Sequence, residues 1–123
     1  VCEDDADILM FFKTIIRDTR FQLSPVLTGK EALEKAQREK IELAFIDVKL
    51  REEDGLDVLK RWKEIQPDTQ IVMISAYSDS LMVRKAIQRG AFTYLFKPLK
   101  TMDVLSVTVK CLKKLGIGEV VSF

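Results

Sequence analysis

Two stretches, Leu43 to Ile46 and Ile71 to Ile74, are apolar at every position, and each ends on a polar residue, Asp47 and Ser75. An apolar run without alternation, bounded by turn signals, is the mark of a strand buried on both faces. Such strands belong to parallel sheets clad by helices on both sides, because parallel neighbours need a crossover long enough to hold a helix. The segment between the two runs meets that need. Gly55 opens a pattern with Leu56, Val58, Leu59, Trp62 and Ile65 at helical spacing, stopped before Pro67.

The same alternation runs through the chain. Ile8, Phe12, Ile15 and Ile16 recur at helical spacing. Phe21 to Leu27 has strand character, and Pro25 within it assigns that strand to the sheet margin. Thr28-Gly29-Lys30-Glu31 matches a capping box, with a helix continuing to about Lys40. Leu81, Met82, Ala86 and Ile87 are expected on one inward helix face, with Gly90 as a left-handed cap. Phe92 to Phe96 is the last strand, ending at Lys97-Pro98. A final helix follows from about Thr101 to Leu115, with Val104, Leu105, Thr108, Cys111 and Leu112 inward. The chain begins without methionine inside an apparent first strand, so a few residues of that strand are expected to be missing. The fold class is α/β, a flavodoxin-like, doubly wound parallel sheet of five strands (order 2-1-3-4-5) with five helices. Residues 1–116 form one domain, and 117–123 are an apolar tail or the start of a linker.

Composition narrows the chemistry. A chain of 123 residues is one domain's length, and 47% hydrophobic with 32% charged residues fits a globular one. There is no histidine, which removes every Ser-His-Asp or Cys-His nucleophile system and every His-ligated zinc site. Cys2 and Cys111 lack metal-ligand spacing; counting leaves one disulfide open, but two lone thiols in such a chain point to a reducing, cytoplasmic setting. The longest apolar run, Ile8 to Phe12, is too short to cross a bilayer. A net charge of +1 argues against a dedicated nucleic-acid or membrane-surface role. The first 57 residues hold fourteen acids and nine bases, the remainder five acids and eleven bases, and solvated helix faces account for the basic half.

In an open parallel sheet, ligands bind beyond the carboxyl ends of the strands. The residues there are Glu3 and Asp4 after the first strand, Asp47 after the third, Ser75 after the fourth and Lys97 after the fifth. Each alone has a bland reading: acids favouring a helix N-terminus, a turn residue, a helix-entry hydroxyl, a Lys-Pro turn. Their convergence on one edge is a poor fit to five separate accidents. Three crowded carboxylates repel unless a cation sits among them, and hard oxygen ligands suit Mg²⁺. A lysine ammonium and a serine hydroxyl can hold phosphoryl oxygens, and a carboxylate can attack phosphorus to give an acyl phosphate.

On these residues the chain resembles the receiver domain of two-component response regulators. The resemblance is carried by Val1-Cys2-Glu3-Asp4-Asp5-Ala6-Asp7-Ile8-Leu9, Phe45-Ile46-Asp47-Val48-Lys49, Asp54-Gly55-Leu56, Met73-Ile74-Ser75-Ala76-Tyr77 and Gly90-Ala91-Phe92-Thr93-Tyr94-Leu95-Phe96-Lys97-Pro98. It implies a phosphorylation-activated switch that takes a phosphoryl group onto Asp47 from a partner histidine kinase or phosphotransfer protein, a regulatory protein more than a turnover enzyme. Asp4 would ligate Mg²⁺ directly and Glu3 through water, together with Asp47 and the backbone carbonyl of Lys49. Ser75 and Lys97 would hold the phosphoryl oxygens, Ala76 would leave the entry path open, and Tyr94 would be the switch aromatic coupled to Ser75. The Lys97-Pro98 bond is expected to be cis. The neighbourhood of Tyr94 resembles regulators that activate alternative-sigma-factor transcription.

The same resemblance implies an output face on the fourth helix, fifth strand and fifth helix, exposing Arg84, Lys85, Arg89 and Lys100 to a second protomer or an effector. No nucleic acid or membrane contact is expected of the domain itself. One departure stands out: the loop after the acceptor reads Leu50-Arg51-Glu52-Glu53, where the family commonly carries proline and glycine. The competing reading is a pseudo-receiver, an interaction module of the same fold that no longer uses phosphorylation. A flavodoxin would need a Ser/Thr/Gly-rich phosphate loop after the first strand, which the sequence lacks.

Overall fold

Helices and strands alternate as the apolar periods require. The computed structural model describes residues 1, 6–16, 24–50, 53–76 and 80–114. Their elements are α1 (Ala6–Ile16), α2 (Gly29–Arg38), β1 (Leu43–Asp47), α3 (Gly55–Ile65), β2 (Gln70–Ser75), α4 (Ser80–Gln88), β3 (Thr93–Phe96) and α5 (Thr101–Lys114). Among the described residues the three strands form a parallel sheet in the order β1-β2-β3. These are the third, fourth and fifth strands of the expected order. Most of the expected first two strands lies outside the described residues. What is described of them pairs as a parallel ladder does: the Val1 amino group donates to Ser24 O at 3.3 Å, and Val26 N donates to Val1 O at 2.9 Å.

Strand alternation divides the core in two. Ala44, Ile46, Ile71, Met73 and Tyr94 face one side, where they meet Ala32 and Ala36 of α2, Leu59 and Trp62 of α3, and Ala86 of α4. Phe45, Val72 and Ile74 face the other, against Phe12 of α1 and Val104, Val107 and Cys111 of α5. The Phe12 and Phe45 rings stand 4.8 Å apart, tilted by 53°. Both faces are therefore covered, as the unbroken apolar runs demand.

The cap expected at Gly90 forms, and of the capping box expected at Thr28–Glu31 the Thr28 half forms. Thr28 ends the chain's approach to α2 in extended conformation, and its hydroxyl accepts from Glu31 N at 3.1 Å. Beyond α4, Gly90 N donates to Ile87 O at 3.1 Å and Ala91 N to Ala86 O at 3.0 Å, with Gly90 at φ 102°. That is the Schellman pattern, and its left-handed residue is where a side chain is disfavoured. Gly90→Ala is expected to cost about 1–2 kcal/mol. A thermal melt should fall by roughly 4–10 °C, and an unchanged melt would contradict this account of the cap.

Two faces differ from expectation. In α4 only Ala86 is fully buried, Met82 and Val83 are partly buried against the core, and Leu81 and Ile87 are exposed. At about 100° per residue Val83 shares a stripe with Met82 and Ala86, whereas Leu81 falls on the far side. In α5 Val107 is buried while Leu105 is half-buried; Thr108 lies beside them, its hydroxyl donating to Val104 O at 2.7 Å. The apolar tail 117–123 lies outside the described residues. Among those described, no helix is long and apolar enough to cross a membrane.

Candidate functional site

The parallel register brings three strand ends to one level. Asp47, the last residue of β1, pairs with Ile74; Ser75, the last of β2, pairs with Phe96; Lys97 follows Phe96 directly. Lys97 is tied there by its own backbone, whose N–H donates to Ser75 O at 2.7 Å. The Lys97-Pro98 peptide is cis, as expected.

Asp47 is held from two directions. Its Oδ1 accepts from Lys49 N at 2.9 Å, and its Oδ2 lies 2.5 Å from Lys97 Nζ. The side chain of Asp47 is 5% exposed and that of Lys97 is 23% exposed, so the carboxylate is the buried partner of the ion pair. In such surroundings the attraction is stronger than in water, and losing Lys97 would leave the Asp47 carboxylate poorly solvated.

The loop leaving Asp47 closes on itself. Val48 N donates to Ile74 O at 2.9 Å, Leu50 N to Glu53 O at 3.2 Å, and Gly55 N to Val48 O at 2.7 Å. Lys49 and Asp54 form an antiparallel bridge across it. Asp54 then caps α3, its Oδ1 accepting from Leu56 N at 2.9 Å. At Gly55 the chain passes so close to β1 that a Cβ would stand 2.0 Å from Asp47 O.

Of the residues expected at the site, Asp47, Lys49 and Lys97 are brought into contact, and Ser75 is joined to Lys97 through the backbone. Ser75 is buried and Ala76 beside it is exposed. Tyr94 is buried on the α2–α3–α4 side of the sheet, its ring centroid 5.2 Å from that of Phe96. Glu3 and Asp4 lie outside the described residues. Arg89 differs from expectation: its guanidinium is turned to Asp57 of α3 at 3.3 Å, away from an open basic face. The residue that sequence reasoning missed is Glu53, whose Oε1 accepts from Lys30 N of α2 at 3.3 Å. A contact spanning 23 positions leaves no local period to find it by.

Among the described residues no three metal-binding side chains cluster. The Asp47 carboxylate at the strand ends is a hard oxygen donor of the kind that suits Mg²⁺ in company with further oxygen ligands.

A family model described as the response regulator receiver domain matches residues 1–109. The chemotaxis protein CheY of Thermotoga maritima is 30% identical over 114 residues, covering 92% of this chain and 95% of its own length. The transcriptional regulatory protein ZraR of Escherichia coli K12 is 29% identical over 110 residues, which is 89% of this chain and 25% of ZraR. The chain thus spans about a quarter of the length of such curated regulators. Among solved structures, the receiver domain of a putative LuxO repressor from Vibrio parahaemolyticus superposes with a TM-score of 0.88 at 25% identity, covering 94% of this chain and 89% of that one. With a sheet-edge site of this design and a family match over most of its length, the chain belongs to the response regulator receiver domain family.

Proposed function

We propose that the domain is a phosphorylation-activated switch of a two-component relay, with Asp47 as acceptor. The observation that carries this reading is the buried Asp47 carboxylate with the Lys97 ammonium 2.5 Å from it at the strand ends. One carboxylate oxygen attacks the phosphorus of a partner's phosphohistidine; the P–O bond forms, the P–N bond breaks, and the imidazole leaves with its electron pair. This chain has no histidine, so the donor comes from a kinase, a phosphotransfer protein or a small phosphodonor. Lys97 Nζ then pairs with a phosphoryl oxygen, and the Ser75 hydroxyl donates to another. Asp47, the Lys49 carbonyl, Asp4 and, through water, Glu3 would hold a Mg²⁺ ion, which would supply charge neutralisation for the transferring group.

Tyr94 is buried opposite Met73, two residues before Ser75 on β2, which supports its reading as the switch aromatic. Drawing Ser75 toward the phosphoryl group shifts the room available to that ring, and so biases α4, β3 and α5. Those three elements and the loop before α5 expose Leu81, Ile87, Phe96 and Met102 alongside Arg84, Lys85 and Lys100, a surface suited to a second protomer or an effector.

Intact-mass measurement with acetyl phosphate and Mg²⁺ tests the acceptor. Wild type is expected to gain one phosphoryl group and Asp47→Asn none. No gain in wild type favours the pseudo-receiver; a gain surviving in Asp47→Asn moves the acceptor elsewhere.

A further inference from the structure

The acceptor loop departs from its family's usual composition, and the structure supplies a replacement for the missing stiffness. α2 begins with N–H groups that its own turns cannot satisfy, at the positive end of the helix dipole. Thr28 takes the N–H of Glu31. The N–H of Lys30 goes to Glu53 Oε1 at 3.3 Å, and Gly29 lies so close that a Cβ there would stand 2.1 Å from Glu53 Oε2. The carboxylate therefore sits on the first turn of α2, in a gap that only glycine leaves.

The backbone of the same residue closes the acceptor loop. Glu53 O accepts from Leu50 N at 3.2 Å, next to the Lys49–Asp54 bridge. Lys49 in turn donates to the Asp47 carboxylate. A continuous path thus runs from the start of α2, through Glu53, to the group that orients Asp47.

We infer that Glu53 is a positioning residue, tethering the acceptor loop to the N-terminus of α2 so that Lys49 holds Asp47 in its reactive orientation. The inference rests on the acceptor role proposed for Asp47. It acts through geometry: a loop free to drift misplaces Asp47 and the Lys49 carbonyl, and small displacements at a reacting group cost large factors in rate.

The test compares Glu53→Ala, Glu53→Gln and Thr28→Ala with wild type. Thr28→Ala weakens the same helix end without touching the loop, so it separates positioning from helix stability. Amide exchange on the unphosphorylated proteins is expected to quicken by about tenfold or more at Lys49 and Leu50 in Glu53→Ala, and to stay at the wild-type rate there in Thr28→Ala. Phosphoryl uptake from acetyl phosphate with Mg²⁺ is expected to slow by about fivefold or more in Glu53→Ala. Glu53→Gln, which keeps an oxygen acceptor of the same reach, should recover most of that loss, and Thr28→Ala should lose little.

Wild-type exchange at Lys49 and Leu50 in Glu53→Ala overturns the tether. Uptake that is unchanged in Glu53→Ala, or slowed equally by Thr28→Ala, overturns the positioning role. If wild type takes up no phosphoryl group, the acceptor reading falls and with it the positioning role, while the exchange comparison still decides whether Glu53 holds the loop.

Discussion

Replacing Lys97 by methionine is expected to destabilise the domain more than replacing Asp47 by asparagine. The two side chains share one contact, but they are not equally placed to lose it. Lys97 sits on a flexible stem with its side chain 23% exposed, so its ammonium can turn to water when Asp47 is neutralised. Asp47 is 5% exposed and cannot. Breaking a buried pair by removing one partner costs about 3–5 kcal/mol; the partial exposure of Lys97 places Lys97→Met nearer about 2–3 kcal/mol. The melt should fall by roughly 6–15 °C. The double variant Lys97→Met with Asp47→Asn should melt above Lys97→Met alone, since it removes the stranded charge. Mg²⁺ at about ten times its Kd should return about 1.4 kcal/mol to any variant that retains the carboxylates. A Lys97→Met protein that melts with wild type, or a double variant that melts below both singles, would show that the contact does not govern stability.

How much of this was legible in the sequence depends on how local each signal is. The unbroken runs ending at Asp47 and Ser75 placed β1 and β2 and the edge where they finish, because burial on both faces leaves apolar residues at every position between the strand's ends. The caps at Thr28 and Gly90 were legible because each is a local device of four to six adjacent residues. The face of α4 was not. Leu81, Met82, Val83, Ala86 and Ile87 carry apolar groups around most of a nine-residue helix, so periodicity alone does not choose the inward stripe. Contact with the sheet chooses it, and leaves Leu81 and Ile87 in water. Glu53 shows the same limit at the site. In sequence it belongs to a run of charge; in space its partner is a helix end 23 residues away.

The tightest constraint near Asp47 is steric, and it gives the second large expectation. Gly55 opens α3, and an added Cβ would stand 2.0 Å from Asp47 O, 2.8 Å from Val48 Cα and 2.9 Å from Asp47 C. All three atoms are backbone, so no side-chain rotation relieves the overlap. The Gly55 N–H also donates to Val48 O at 2.7 Å, which ties the two segments together and removes the easy escape of sliding apart. Overpacking in a well-packed interior costs about 1–3 kcal/mol, occasionally more; an overlap against main chain belongs at or above the top of that range. Gly55→Ala is therefore expected to lower the melt by roughly 10 °C or more. Whatever relaxation admits the methyl group must move the end of β1 or the start of α3, and either displaces the Asp47 carboxylate from Lys97. Phosphoryl uptake, measured well below the melt on protein with native circular dichroism, should fall by about tenfold or more. Gly90→Ala provides the control: it strains the backbone at the opposite end of the strands and should leave uptake unchanged. If Gly55→Ala melts with wild type, the close approach of α3 to β1 is not what holds Asp47 in place. If it melts lower yet takes up phosphoryl groups at the wild-type rate, the acceptor tolerates movement of its own strand end, and reactivity must be set on the Lys97 side of the site.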